Sequence, residues 1–114
     1  MAGHPLPVLA CPDGPREIGA PGRPLGITAD LDVPVVEVQL PPGSTLVLYT
    51  DGVTEARDDA GVQFGEDGLR RVLTAGCRDA EATVGAITAA VEEQLRHSRY
   101  EADDLAVLAL AVPA

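Results

Sequence analysis

The chain has 114 residues, which is enough for one compact domain and no more. Apolar residues make up 46% of it and support an aliphatic core, and 18 acidic against 8 basic side chains give a formal charge of −10. This balance argues against a nucleic-acid partner, which would need a basic face. It fits either an acidic, well-solvated surface or, less directly, a protein that binds divalent cations.

Cysteine spacing and the chain start also limit the class of protein. Cys11 and Cys77 lie far apart and lack the paired spacing of zinc ligands, so reduced and buried thiols are expected. The N-terminal residues have neither the charged nor the apolar region of a signal peptide. The longest unbroken apolar run, 105–112, is far shorter than a membrane span. We therefore expect a cytoplasmic protein without a membrane partner.

The first half of the chain predicts short strands separated by turns. Residues 5–10 are typical of a short edge strand, and 11–22 of a polar hairpin or loop. Residues 34–40 alternate between apolar and polar side chains, as a half-buried strand does. A Pro-Pro-Gly turn links them to the apolar strand 46–49, so the two strands are predicted to form a hairpin.

The strand 46–49 leads directly into Thr50-Asp51-Gly52. A carboxylate at the end of a buried strand is held on a rigid element, which suits a metal ligand or a catalytic group. In this interpretation Gly52 lets the backbone turn sharply after Asp51. Because Asp-Gly is also among the commonest turn dipeptides, a purely structural turn is the alternative.

Two amphipathic helices are predicted next. Glu66 and Asp67 open a short helix that Gly76 ends. Asp79 is placed to cap a second helix over about 80–97. The apolar positions that should face the core are Leu69, Val72 and Leu73 in the first helix and Val84, Ile87, Val91 and Leu95 in the second.

The chain closes with Asp103 and Asp104 before a continuous apolar strand, 105–112, predicted to be buried on both faces. If this strand is the antiparallel neighbour of 46–49, Asp51 and Asp103 meet at one rim of the sheet. Two carboxylates so placed suit a cation with oxygen ligands, Mg²⁺ or Mn²⁺. The predicted fold class is α+β, an antiparallel sheet with two helices packed on it.

Other candidate site residues are weaker. His4 has no acidic partner at a motif spacing, and His97 ends a helix, where a cation favours the helix dipole, so both are interpreted as structural. The serines and threonines lack the context of a nucleophile, and no glycine-rich phosphate loop is present.

Several segments, in order along the chain, resemble the C-terminal half of a SpoIIE-type phosphatase domain, the bacterial branch of the metal-dependent (PPM-type) Ser/Thr protein phosphatases. The most specific is the Tyr-Thr-Asp-Gly-Val-Thr-Glu-Ala block at 49–56. The resembling segments are 2–5 (Ala-Gly-His-Pro), 24–26 (Pro-Leu-Gly), 40–56, 64–65 (Phe-Gly) and 103–108, which begins with Asp-Asp.

This resemblance implies part of an αββα sandwich with a two-metal Mn²⁺ or Mg²⁺ centre at one rim. It makes Asp51 and Asp103 metal ligands, Asp104 a neighbour in the same motif, and Gly52 the turn that exposes Asp51. The implied reaction is attack of a metal-activated water on phosphoserine or phosphothreonine. The implied substrate is a phosphorylated regulatory protein, such as an anti-sigma-factor antagonist.

The resemblance is incomplete. The N-terminal half of the family domain, with its own metal-binding Asp, has no counterpart here, and Ala106 stands where the family usually has Thr. We therefore expect residues 1–114 to be the C-terminal part of such a domain, with half of the site. A fragment and a naturally shortened protein both fit. The alternative function is a non-catalytic interaction module that associates with another chain, or with itself, through an uncovered sheet face.

Overall fold

An antiparallel sheet carries the fold. A computed structural model describes residues 1–31, 33–76 and 79–114, and all element counts refer to these residues. The strands are β1 (Val8–Cys11), β2 (Gly14–Glu17), β3 (Thr45–Tyr49) and β4 (Val107–Ala111), and the helices are α1 (Asp51–Thr54), α2 (Gly65–Thr74) and α3 (Ala80–Leu95). The strands are arranged in the order β2-β1-β3-β4, with every neighbouring pair antiparallel. The predicted α+β class is confirmed.

The core lies on one face of this sheet. Val47 and Tyr49 of β3 point into it, because alternate residues of a strand face the same side. Helices α2 and α3 cover that face, and β4 adds Val107 at its border. The buried side chains contributed by the two helices are Leu69, Leu73, Ile87 and Val91.

The two long helices form where they were predicted. The Asp79 carboxylate accepts a hydrogen bond from the Ala82 amide at 2.7 Å, which confirms the predicted N-cap of α3. The buried line of α3 runs through Thr83, Ile87 and Val91, whereas Val84 is only half-buried. Thr83 fits this core line because its hydroxyl donates to the Asp79 carbonyl at 2.7 Å.

The predicted hairpin between 34–40 and 46–49 is wrong. Residues 33–40 form no strand. Strand β3 instead pairs with β1 through Leu46–Leu9 and with β4 through Leu48–Leu108, so both of its edges are occupied. Alternating polarity in 34–40 indicated half-burial, which a coil lying over the sheet also produces; Val38 and Leu40 are half-buried there.

The predicted burial of the last strand on both faces is also wrong. β4 is an edge strand, and its Leu108 and Leu110 are 60% and 52% exposed. The β3–β4 register places Leu46 opposite Leu110 and Leu48 opposite Leu108, on the side of the sheet away from α2 and α3. We call these four residues the leucine face. A strand can therefore consist entirely of apolar residues although the same chain covers only one of its faces.

Cysteine placement is known for only one of the two thiols. Cys11 is unpaired and half-buried at the end of β1, where burial was expected. Cys77 lies outside the described residues.

We expect Thr45→Val to raise stability by about 1 kcal/mol. Thr45 is fully buried in β3, and its hydroxyl has no hydrogen-bond partner among the described residues. A buried polar atom without a partner costs free energy, and Val has nearly the same shape without that atom. Urea unfolding followed by circular dichroism checks this. Thr83→Val is the matched control, because the buried Thr83 hydroxyl has a partner, and it should destabilise.

Candidate metal centre

The rim of the sheet at the end of β3 brings two distant chain segments together. Tyr49 pairs with Val107, so the end of β3 adjoins the start of β4, as the antiparallel arrangement predicted. Thr50 then links β3 to α1, whose first residue is Asp51. The segment 103–106 leads into β4 beside this junction, with the Thr50 amide donating to the Ala106 carbonyl at 3.0 Å.

Three carboxylates converge at this rim. One oxygen each from Asp51, Glu55 and Asp103 lies within 4.8 Å of the other two, and all three side chains are exposed. The structure thus brings together the two acids that the strand arrangement predicted to meet. Among the described residues this is the only such group of three possible ligands. His4, whose Nδ1 lies 2.9 Å from the Pro5 carbonyl oxygen, is not part of it.

Glu55 was not predicted as a site residue. It lies four residues after Asp51, and its amide donates to the Asp51 carbonyl at 2.8 Å. Residues four apart share one face of a helix, so this single helical turn aims both carboxylates the same way. The signal was present in the spacing. It was missed because Asp51-Gly52 was interpreted as a turn and not as the start of a helix.

Gly52 does not have the role predicted for it. It is a buried helical residue and is not among the glycines with positive φ, so a sharp turn is not why glycine is needed. A Cβ atom at Gly52 would overlap the Asp104 carbonyl oxygen and lie 2.9 Å from its carbonyl carbon. Glycine is required here because the backbone of Asp104 packs directly against α1.

Asp104 contributes its backbone to the rim, and its side chain does not join the three-carboxylate group. Its amide donates to Oδ1 of Asp103 at 2.8 Å, which orients the Asp103 side chain. Oδ2 of Asp103 accepts no hydrogen bond from the described residues, so its lone pairs are available for a further contact. The two adjacent acids therefore have different positions: Asp103 faces the group, and Asp104 forms the contact with Gly52.

A cleft of about 260 Å³ opens beside the carboxylates, and Glu55 and Asp103 lie on its wall. Arg57 and Tyr100 also line this cleft, and the Tyr100 ring centroid lies 5.9 Å from the Arg57 guanidinium carbon. The loop that carries Arg57 is tied to the segment before Asp103 by a 3.0 Å ion pair between Arg99 and Asp59. The cleft thus joins a cluster of negative charge to a cationic side chain, a combination that suits a cation together with an anionic group.

Burial and nearby charge act on Tyr49, just inside the rim. Burial raises the pKa of its phenol, and the neighbouring Glu66 and Glu17 carboxylates raise it further, against a smaller lowering by Arg70. In the unfolded chain the tyrosine pKa returns to about 10. Unfolded protein therefore loses this proton at lower pH than folded protein, and stability falls as the pH rises above about 10.

We expect Tyr49→Phe to reduce this alkaline loss of stability. Between about pH 9 and pH 11 the melting temperature of the wild type should fall more than that of Tyr49→Phe. Thermal unfolding in matched buffers measures the difference. Tyr100→Phe, which removes an exposed phenol, is the control and should follow the wild type. Parallel curves for Tyr49→Phe and the wild type would contradict the prediction.

Comparison with protein families matches the chain to Stage II sporulation protein E (SpoIIE) over residues 1–113. The chain belongs to the SpoIIE family. The match runs through both segments that form the rim, so the predicted resemblance is confirmed. No curated protein gives a significant match.

Solved structures share the fold of this SpoIIE-family chain. The Bacillus subtilis SpoIIE phosphatase domain from an Mn-presoaked crystal has a TM-score of 0.72 at 23% identity, covering 99% of this chain and 48% of that one. A B. subtilis SpoIIE PP2C phosphatase domain with a fragment of the regulatory domain has a TM-score of 0.74 at 23% identity. This match covers 95% of the present chain and 31% of the solved chain. The RsbU and RsbW domains of Rv1364c from Mycobacterium tuberculosis have a TM-score of 0.63 at 26% identity. This match covers 99% of the present chain and 32% of the solved chain.

This SpoIIE-family chain therefore spans about half, or less, of the solved chains that it matches. Its sheet and helices form part of the PP2C phosphatase fold, as predicted. Among the described residues no helix has both the length and the apolar character that crossing a membrane requires.

Proposed function

We propose that this chain carries part of the metal site of a metal-dependent protein serine/threonine phosphatase. The observation that carries the proposal is the convergence of Asp51, Glu55 and Asp103 at one rim of a PP2C-type sheet. Asp51 and Asp103 are the proposed ligands of Mn²⁺ or Mg²⁺, and Glu55 is added as a third carboxylate. Gly52 and Asp104 support them through the backbone contact between α1 and the segment before β4.

The donor set fits such an ion. Mg²⁺ and Mn²⁺ prefer oxygen ligands, and three carboxylates supply three negative charges on two adjoining elements. Close carboxylates repel one another, so this arrangement is costly without a counter-charge and favourable with one. The exposure of all three side chains leaves room for water to complete the coordination.

The proposed substrate is phosphoserine or phosphothreonine on a regulatory protein, such as an anti-sigma-factor antagonist. When bound, a pair of divalent cations supplies charge stabilisation and activates water for this hydrolysis. The chain's own carboxylates would hold one of these cations at the rim, and Glu55 and Asp103 also line the adjoining cleft. Arg57 in the wall of that cleft offers a guanidinium to the phosphate of the substrate.

The direct test is calorimetric titration of the 114-residue chain with Mn²⁺. We expect saturable binding of one ion, because three carboxylates make one group and not two. Glu92→Gln, which removes an exposed acid on α3, is the matched control and should bind Mn²⁺ like the wild type. A titration of the wild type without a saturable signal would overturn the proposed site.

Hydrolysis of p-nitrophenyl phosphate by this chain should be weak or absent with Mn²⁺. A two-metal centre needs more ligands than the three carboxylates that converge here. Strong Mn²⁺-dependent turnover that disappears in Asp51→Ala would show that these residues suffice, and would contradict the expectation of an incomplete site.

A second candidate function is a non-catalytic module that associates with another chain. The specific observation in its favour is the leucine face, where Leu108 and Leu110 remain more than half exposed on an edge strand. Exposed apolar patches of this kind mark association surfaces. We propose a second copy of this chain as the partner, because its leucine face presents the same exposed apolar surface.

A further inference from the structure

The junction between β3 and α1 has an unusual hydrogen-bond arrangement at Thr50. In a regular antiparallel pair, two opposed residues exchange bonds through their backbone amides and carbonyls. The Thr50 amide does donate to the Ala106 carbonyl at 3.0 Å. Its own carbonyl, however, accepts from the Val53 amide at 3.0 Å, where α1 begins. The Thr50 backbone acceptor is thus used by the helix.

The Thr50 hydroxyl takes the place of that carbonyl. The Ala106 amide donates to the Thr50 hydroxyl oxygen at 3.0 Å, which restores the second bond of the pair. The chain can therefore turn from strand into helix at Asp51 while the segment before β4 stays paired. A side chain without an oxygen at this position would leave the exposed Ala106 amide to bond water, and the segment before β4 would lose this bond to the β3–α1 junction.

Gly52 constrains the same segment, 103–106, at Asp104. The Asp104 backbone lies so close to α1 that a Cβ at position 52 would overlap its carbonyl oxygen. One residue earlier, Asp103 holds its carboxylate in place by accepting from the Asp104 amide at 2.8 Å. Position 106 is therefore fixed by Thr50 and position 104 by Gly52, immediately after Asp103.

We propose that Thr50 and Gly52 are positioning residues that set the separation of the Asp51 and Asp103 carboxylates. This rests on the proposed metal site. Side chains that orient ligands without touching the metal change its affinity by about 10- to 100-fold when they are replaced. Thr50 orients the Asp103 segment through the Ala106 amide, and Gly52 does so by allowing the close backbone approach.

The experiment compares Thr50→Val with Thr50→Ser by Mn²⁺ calorimetry and by amide hydrogen exchange. Thr50→Val keeps the shape without the hydroxyl, and we expect Mn²⁺ binding about 10-fold weaker together with faster exchange at Ala106. Thr50→Ser keeps the hydroxyl and should retain wild-type affinity within about 2-fold, with Ala106 protected. Gly52→Ala should weaken Mn²⁺ binding by about 10-fold or more.

Leu73→Val separates positioning from general loss of stability. Leu73 is buried in α2 and lines a cavity with Cys11 and Gly43, beyond the other end of β3. We expect a lower melting temperature with unchanged Mn²⁺ affinity. Equal weakening by Leu73→Val and Thr50→Val would overturn the proposal, as would wild-type affinity in both Thr50→Val and Gly52→Ala.

The two proposals fail in different ways. If the wild type does not bind Mn²⁺, the metal site fails, and the positioning role fails with it. If the wild type binds and Ala106 exchanges as fast as it does in Thr50→Val, the metal site stands and the positioning role alone is overturned.

Discussion

Asp51→Asn should abolish most Mn²⁺ binding by this chain while making the metal-free protein slightly more stable. Asn keeps the size of Asp and can still begin α1, but it removes one of the three clustered negative charges. Replacing a residue that only orients a ligand weakens metal binding by about 10- to 100-fold. Losing a direct ligand should therefore weaken Mn²⁺ binding by roughly 100-fold or more. Removing a like charge also relieves repulsion with Glu55 and Asp103.

In Asp51→Asn the Mn²⁺ affinity should fall while the melting temperature of the metal-free protein stays equal or rises. This combination distinguishes a metal ligand from a structural acid. In wild-type protein, saturating Mn²⁺ should raise the melting temperature, because an ion that binds only the folded state stabilises it. Asp51→Asn should begin from an equal or higher melting temperature and gain nothing from Mn²⁺. Glu92→Gln, the control on α3, should show the wild-type gain. A lower metal-free melting temperature with intact Mn²⁺ binding would mean that Asp51 is structural.

The same pair of readouts ranks the three carboxylates. Asp103→Asn should resemble Asp51→Asn, since both acids are predicted ligands on adjoining segments. Glu55→Gln tests the residue that the structure added. A full loss of binding would make Glu55 a direct ligand, and an unchanged affinity would limit the site to the two aspartates.

The proximity of Asp51 and Asp103 could be predicted from the sequence because this prediction depended on strong local patterns. Two apolar runs, each flanked by acids, identified β3 and β4. Their antiparallel pairing was a condition of the prediction, and the structure meets it. The helices were predictable for a similar reason, since the N-cap Asp79 and the apolar period of α3 are local features.

The remaining site features depend on contacts between distant residues. The need for glycine at 52 comes from the Asp104 backbone, 52 positions along the chain, so an Asp-Gly dipeptide alone suggested only a turn. Glu55 joins the group because α1 forms, so its four-residue spacing from Asp51 indicates a shared face only once a helix is known to begin at Asp51. The failed strand at 34–40 has the same origin, because β1 and β4 occupy both edges of β3.

Charge on the leucine face should control whether the chain self-associates. The register groups Leu46, Leu48, Leu108 and Leu110 on the side of the sheet away from the helices. Burying such a patch is favourable by about 25 cal/mol per Å² of apolar area. The net charge of −10 opposes association through repulsion, which salt screens. We therefore expect wild-type protein to form dimers, and more of them as ionic strength rises.

The double variant Leu108→Asp/Leu110→Asp should be monomeric at every salt concentration. Dimerisation of this variant would bury two unpaired carboxylates in each chain. The free-energy cost of burying them would exceed the gain from apolar contact. Both side chains are already more than half exposed in the monomer, so folding should persist, as circular dichroism can verify. Leu25→Asp/Leu31→Asp is the matched control, because these leucines are 69% and 74% exposed outside the leucine face. Sedimentation velocity should show dimers for this control. A stable wild-type monomer at high salt would exclude the leucine face as a self-association surface and leave the metal site as the supported function.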